Sequence, residues 1–226
     1  MGSAEDIRRA LKIKPAQVKR RLVKFVRGRV GEAGAGGVVF GMSGGIDSST
    51  AAFLCAEALG GDKVLGVSMP EAGVTDPHDL ADARKLANKL HISLEIVDIT
   101  PAVVGIRKNI GDFKPDVTLP SANIKPRVRM TILYYYANLL NRLVVGSSNR
   151  SEIRAGYFTK YGDGAADLAP LSCLYKTQVV QLARHLGVPK YVLQKPPSAG
   201  LWRGQTDEAE LGLSYEKLDR IYVGLD

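Results

Sequence analysis

An apolar run, Val38-Val39-Phe40, passes through Gly41-Met42-Ser43-Gly44-Gly45-Ile46-Asp47-Ser48-Ser49 into Thr50-Ala51-Ala52-Phe53-Leu54. That order predicts a buried strand, a tight glycine turn and then a helix. Adjacent glycines let the main chain turn and approach an anion closely, because no Cβ intervenes. The first N–H groups of the following helix have no intrahelical acceptor and lie at the positive end of its dipole. The hydroxyls of Ser43, Ser48 and Ser49 add further donors. Together these features predict a phosphate cradle at the end of a buried strand.

The loop is not of the Walker type, which closes on a Lys-Ser/Thr pair; Asp47 stands in that place. A carboxylate among phosphate-binding groups makes chemical sense if it holds a divalent cation. The string Ser43-Gly44-Gly45-Ile46-Asp47-Ser48 resembles the PP-loop of ATP pyrophosphatases, which cleave ATP between its α and β phosphates. The plain alternative is a helix-capping turn with incidental serines.

Further strands are expected at Val64–Met69, Ile92–Ile99 and Leu143–Gly146, with helices from Ile46 to about Leu59, from Pro77 to Leu90 and from Pro126 to Asn141. The alternation predicts an α/β fold with a parallel sheet and helices on both faces, and ligands beyond the carboxyl ends of the strands. Ser147-Ser148-Asn149 follows a strand just as the glycine loop does, so the two can share one crevice. Two stretches rich in Gly, Pro and Asp, 111–120 and 195–212, read as lids.

With 226 residues, the chain is expected to form a single domain. The net charge of +8 suits polyanions, and much of it lies in a basic helix expected at about 15–29. There Val18, Leu22, Phe25 and Val26 recur at helical spacing between Lys19, Arg20, Lys24 and Arg27. A helix of this kind can bind RNA or a membrane, but a solvated basic face is the simpler reading. The first residues, Met1 to Asp6, read as neither a signal peptide nor a myristoylation site, and no apolar run approaches the roughly 20 residues of a membrane helix. Cys55 and Cys173 lack metal-ligand neighbours, and His78, His91 and His185 lack paired spacing. These features predict a cytoplasmic protein without disulfide or zinc and no membrane partner, and they leave nucleic acid, ATP and a dinucleotide open as the polyanion.

Asn123 to Met130 opens the long helix, where Pro126 suits a first turn. Val128, Ile132, Tyr135 and Leu139 form one stripe, expected to pack into the core. Arg127 and Arg129 lie about 200° apart on a helix, so at most one of them serves a given ligand. The string from Gly156 to Pro170 would build little core and reads as a binding loop. Lys176 falls in a first helical turn, where it opposes the dipole and favours an anion-binding role.

These strings, with Lys195-Pro196-Pro197-Ser198-Ala199-Gly200-Leu201-Trp202 and Glu210-Leu211-Gly212-Leu213-Ser214-Tyr215, resemble the NAD synthetase family from about Val38 to Tyr222. The resemblance implies a Rossmann-like fold of the adenine nucleotide alpha hydrolase type and a single synthetase domain over 1–226. The implied reaction is ATP-dependent amidation of deamido-NAD with ammonia through an adenylate, releasing pyrophosphate and AMP. Gly41, Met42, Ser43, Gly44, Gly45, Ile46, Asp47 and Ser48 are implied to hold ATP, together with Ser147, Lys176 and Ser198. Asp47 and Glu152 are the implied Mg2+ ligands, and Arg127, Lys160 and Asp167 the deamido-NAD contacts. Asp47, Lys176 and Asp167 are the implied catalytic groups, a homodimer is the implied assembly, and no nucleic-acid partner is implied.

Two features depart from the family pattern. Pro126 replaces a usual alanine, and Tyr222 to Asp226 shows no counterpart of the family's C-terminal His-Lys-Arg element. Either that tail is missing from this sequence or substrate closure is handled differently, so the implied set of substrate contacts is a partial one. With neither cysteine in a glutamine-hydrolysing motif, no glutaminase domain is expected and ammonia is the expected nitrogen source. Competing readings are another PP-loop enzyme, such as one that adenylates tRNA, and a non-catalytic nucleotide sensor.

Overall fold

The computed structural model describes residues 4–225. The start of the chain, on which part of the signal and myristoylation readings falls, includes Met1–Ser3, which lie outside the described residues. Helices α1 (Ala4–Leu11) and α2 (Pro15–Glu32) precede strand β1 (Gly37–Gly41). Then come α3 (Ile46–Leu59), β2 (Val64–Ser68), α4 (Pro77–Leu90), β3 (Ser93–Ile96), α5 (Thr100–Asn109), α6 (Thr118–Ala122), α7 (Ile124–Leu140) and β4 (Arg142–Val145). The chain continues through α8 (Arg150–Ala155), α9 (Lys176–Leu186), α10 (Lys190–Leu193), α11 (Asp207–Leu211) and α12 (Tyr215–Leu225).

The four strands are parallel in the order β3-β2-β1-β4. Alternation along β1 explains the two-sided burial: Val38 and Phe40 join the core beneath α2, α3 and α9, while Val39 joins the one beneath α7. The order therefore reverses direction at β1, where a crevice opens beyond the strand ends. The expected α/β fold is what the structure has. Strand β3 is shorter than the apolar run 92–99 suggested, since it lies at the sheet edge and leaves Ser93 and Glu95 exposed.

Several helices escaped the periodicity, among them α1, α5, α8 and α12. The basic helix is present, buries Leu22, Val26 and Val30, and leaves Arg20, Arg21 and Lys24 exposed. On α7 the expected core stripe holds for Val128 and Ile132, which join the core, and is corrected for Tyr135 and Leu139. Met130, Leu133 and Ala137 face the sheet, whereas Tyr135 and Leu139 are each 63% exposed. This helix is apolar on two opposite faces, and the sheet can cover only one.

Candidate active site

The glycine loop, the candidate phosphate cradle, leaves β1 at Gly41 and enters α3 at Ile46. Gly44 takes φ +79°, and a Cβ built there would lie 2.9 Å from the carbonyl oxygen of Asp79. Only glycine accommodates both the left-handed backbone and that close approach to the start of α4. Ser43 Oγ and Ser48 Oγ are 3.0 Å apart, and the N–H of Gly45 donates to Ser43 Oγ at 3.3 Å. The hydroxyls brace the turn, and the first amides of α3 are left without intrahelical acceptors.

Beyond β4, Asn149 caps α8: its side chain accepts the N–H of Glu152 at 3.1 Å, and Glu152 accepts the N–H of Asn149 at 3.1 Å. The Asn149 amide also donates to Asp47 Oδ1 at 3.1 Å, tying the phosphate loop to this helix. Lys176, the first residue of α9, donates its ammonium to Asp47 Oδ2 and lies 3.6 Å from Glu152 Oε1. Three residues singled out from separate strings thus meet at one point.

Burial alone would depress the Lys176 ammonium, but Asp47 and Glu152 outweigh it and raise the group above its ordinary range. Glu152 is pushed up to about 8, first by burial and then by Asp47, against the opposing pull of Lys176. Tyr215 places its ring 4.9 Å from Lys176 Nζ and donates its hydroxyl to Asp207 at 3.0 Å, and Tyr157 donates to the same carboxylate at 3.2 Å. Burial holds Asp207 above the usual carboxylate range.

A second cluster lies at the start of α7. Arg127 Nε donates to the carbonyl of Lys160 at 3.1 Å, and both side chains are exposed. Arg129 points away from that site and donates to Met69 O at 3.3 Å, as the angular separation required. Asp167 accepts the N–H of Val144 at 2.7 Å and the hydroxyl of Tyr134 at 3.1 Å, so it braces the edge of β4 and is not among the groups meeting Lys176. In the same loop the Asp163 carboxyl accepts the N–H of Thr159 at 3.0 Å, and lost hydration holds it above its ordinary value.

Ser147 is half-buried just past β4. Ser198 is exposed on the segment between α10 and α11, where its hydroxyl accepts the N–H of Gly200 at 3.1 Å. That segment is tethered on both sides of Ser198. Lys195 pairs with Asp79 and Asp82, each at 2.7 Å, and buried Lys125 donates to Leu201 O while pairing with Glu71 at 2.7 Å.

The sequence reading placed Asn149 in the crevice but gave it no role, and it gave none to Asp207 or Tyr215. For Asn149 a signal existed, since Asn149 and Glu152 stand at capping-box spacing. Asp207 and Tyr215 reach the site only through the tertiary fold.

The sequence model described as NAD synthase matches residues 18–225. The NH(3)-dependent NAD(+) synthetase of Archaeoglobus fulgidus is 48% identical over 205 residues, 91% of this chain and 82% of that protein. The enzyme of the same name from Methanocaldococcus jannaschii is 50% identical over 208 residues, 91% of this chain and 79% of its own. Among solved structures, NMN synthetase from Francisella tularensis superposes with a TM-score of 0.89 at 38% identity, covering 94% of this chain and 87% of that one. With a phosphate loop, two carboxylates and a buried lysine converging at the sheet's crevice, the chain belongs to the NAD synthase family.

Proposed function

We propose that this chain joins ammonia to the nicotinate carboxyl of deamido-NAD at the expense of ATP. The observation that carries the reading is the meeting of Asp47, Glu152 and Lys176 beside the phosphate loop. The substrate carboxylate oxygen attacks the α-phosphorus, the bond to the bridging oxygen breaks, and pyrophosphate leaves. Ammonia then attacks the acyl carbon, AMP leaves and a proton is released. The α3 amides and Ser43 hold the phosphates, and the Lys176 ammonium meets charge that grows on the leaving group. Arg127, Lys160 and Asp167 are assigned to deamido-NAD, and Ser147 and Ser198 to ATP.

Asp47 and Glu152 would hold Mg2+. Among the described residues no three His, Cys, Asp or Glu side chains gather into a metal cage. Two carboxylates are what this ion uses when substrate phosphates complete its shell. Once bound, the ion supplies charge neutralisation at the phosphates.

The outer face of α7, with neighbouring Ile106, Ile110, Val117 and Leu119 also exposed, supports a homodimer formed through this surface. No described helix is long and apolar enough to cross a membrane. A cytoplasmic setting remains part of the proposal, and the two free cysteines are consistent with it. A second reading, amidation of the mononucleotide, is favoured by the likeness to NMN synthetase. The relatives near half identity favour the dinucleotide, and the tRNA-modifying reading has no such support.

The test is an assay with ATP, Mg2+ and ammonium or glutamine, offering deamido-NAD and nicotinic acid mononucleotide in parallel and following pyrophosphate with the amide product. NAD formed from ammonium with equal pyrophosphate is the expected result. Turnover of the mononucleotide alone moves the chain to the second reading, and no turnover of either refutes both.

A further inference from the structure

Helix α12 turns one carboxylate wholly inward: Asp219 has 0% exposure. Its Oδ2 accepts the main-chain N–H of Thr177 at 2.9 Å, and its Oδ1 accepts the hydroxyl of Ser151. Ser151 Oγ in turn accepts the main-chain N–H of Lys176 at 2.8 Å. The first two amides of α9 are therefore both tied to Asp219, one directly and one through a hydroxyl. Those amides would otherwise be orphaned, and the anion sits at the positive end of the α9 dipole.

Ser151 immediately precedes Glu152. One buried carboxylate thus links the turn that carries Glu152 to the turn that carries Lys176. The Lys176 side chain is long, and where its ammonium falls depends on where its Cα is held. A displacement of about 1 Å at a reacting centre can cost about 10² in rate.

We propose that Asp219 is a positioning residue for adenylate formation, holding the first turn of α9 against α8 so that Lys176 meets the departing phosphates. It touches neither nucleotide nor metal and acts through Lys176. The proposal rests on the role given to Lys176 above.

Asp219→Asn tests it with little change of shape. The amide keeps one acceptor oxygen for Thr177 and presents an NH2 group to Ser151, so the Ser151 proton loses its acceptor. The measurement is kcat and KM for ATP in Asp219→Asn, in Lys176→Met and in the double variant, with single turnover at high enzyme concentration for the slow forms and a melting curve for each. The expected result is a fall in kcat of about tenfold or more with KM for ATP within about threefold, because the interaction is realised in the transition state. In the Lys176→Met background the same substitution is expected to lower kcat no further while still lowering Tm, the non-additivity of residues acting through one another.

An equal fold-loss of kcat in both backgrounds would overturn the proposal, as would wild-type kcat in Asp219→Asn. Should that variant fail to fold, Ser151→Ala removes one of the two links, leaves Asp219 on Thr177, and carries the same expectation and the same refutation. The two readings fail differently. Lys176→Met at wild-type rate removes the role of Lys176, whereas a crippled Lys176→Met beside an unaffected Asp219→Asn removes only that of Asp219.

Discussion

The ammonium of Lys176 is ion-paired with the carboxylate of Asp47, 129 residues away along the chain and on a different helix. The pair is nearly shielded from water, with 4% of the lysine side chain and 17% of the aspartate exposed. On the proposed reaction, a cation held in this way beside the glycine loop would need no reorganisation when charge develops on the leaving group. Lys176→Met is expected to lose about 10²–10³ in kcat, the usual cost of one preorganised electrostatic group. Steady-state kinetics on a variant with a native circular-dichroism spectrum checks this, and turnover within about threefold of wild type would sink it.

The same variant makes a prediction about metal. Without the lysine, the Asp47 carboxylate is left beside Glu152 with no cation against it, and removing one partner of a buried ion pair costs about 3–5 kcal/mol. A divalent ion added without nucleotide should recover part of that loss, so millimolar Mg2+ is expected to raise the Tm of Lys176→Met more than that of the wild type. Identical Mg2+ shifts in the two proteins would argue that these carboxylates do not form the ion's site.

Glu152 gives the pH dependence. Its folded-state pKa of about 8 lies above its ordinary value of 4.5, first through burial and then through Asp47. Between those values the folded protein keeps a proton that the unfolded chain releases, so this group makes stability fall as pH rises through that window. Below 4.5 both states are protonated and above 8 both are ionised, so the contribution is flat outside it. Glu152→Gln should flatten the decline of Tm between pH 5 and 8, on the order of the window just described. Thermal melts across that range decide the matter, and an unchanged slope in the variant would contradict the assignment.

Much of this site was legible because its parts are local. The strand-glycine-helix order announces the phosphate loop, and Asp47, Glu152 and Lys176 each sit in the first turn of a helix, where position in the sequence already fixes direction. Asn149, Asp207, Tyr215 and Asp219 were not legible as partners, since each acquires its role by meeting a group brought in from elsewhere in the chain. Asp167 was legible as a loop aspartate but not as a brace for the Val144 amide, a pairing that exists only once the loop lies along β4. On α7 the periodicity was real but double. A helix with two apolar faces gives the same signal for a core and for an open surface, and only the sheet's position separates them.

Gly44 offers a test of the loop itself. Its positive φ costs a residue with a Cβ about 1–2 kcal/mol. The added carbon would also lie 2.9 Å from the main-chain oxygen of Asp79, a contact neither element can relieve alone. Gly44→Ala is therefore expected to lower Tm and to raise KM for ATP by about tenfold, because the turn that aims the α3 amides must open. A variant with wild-type ATP affinity would show that the loop's conformation does not set phosphate binding.

The uncovered face of α7 bears on assembly. Tyr135 and Leu139 lie one turn apart on it, and each is 63% exposed. Leu119 on α6 is equally open, and Ile106, Ile110 and Val117 lie in the segment that leads to it. A surface this apolar is costly to leave in water at about 25 cal/mol per Å2, and a two-fold partner would bury the same residues from both sides. Leu139→Glu, combined with Tyr135→Lys, should convert a dimer to a monomer as read by light scattering coupled to size exclusion. Both side chains point away from the sheet, so each subunit should retain its fold and its free-state melting profile. If the wild type is itself monomeric at tens of micromolar, this face serves some purpose other than pairing two copies of the chain, and the dimer falls with that result.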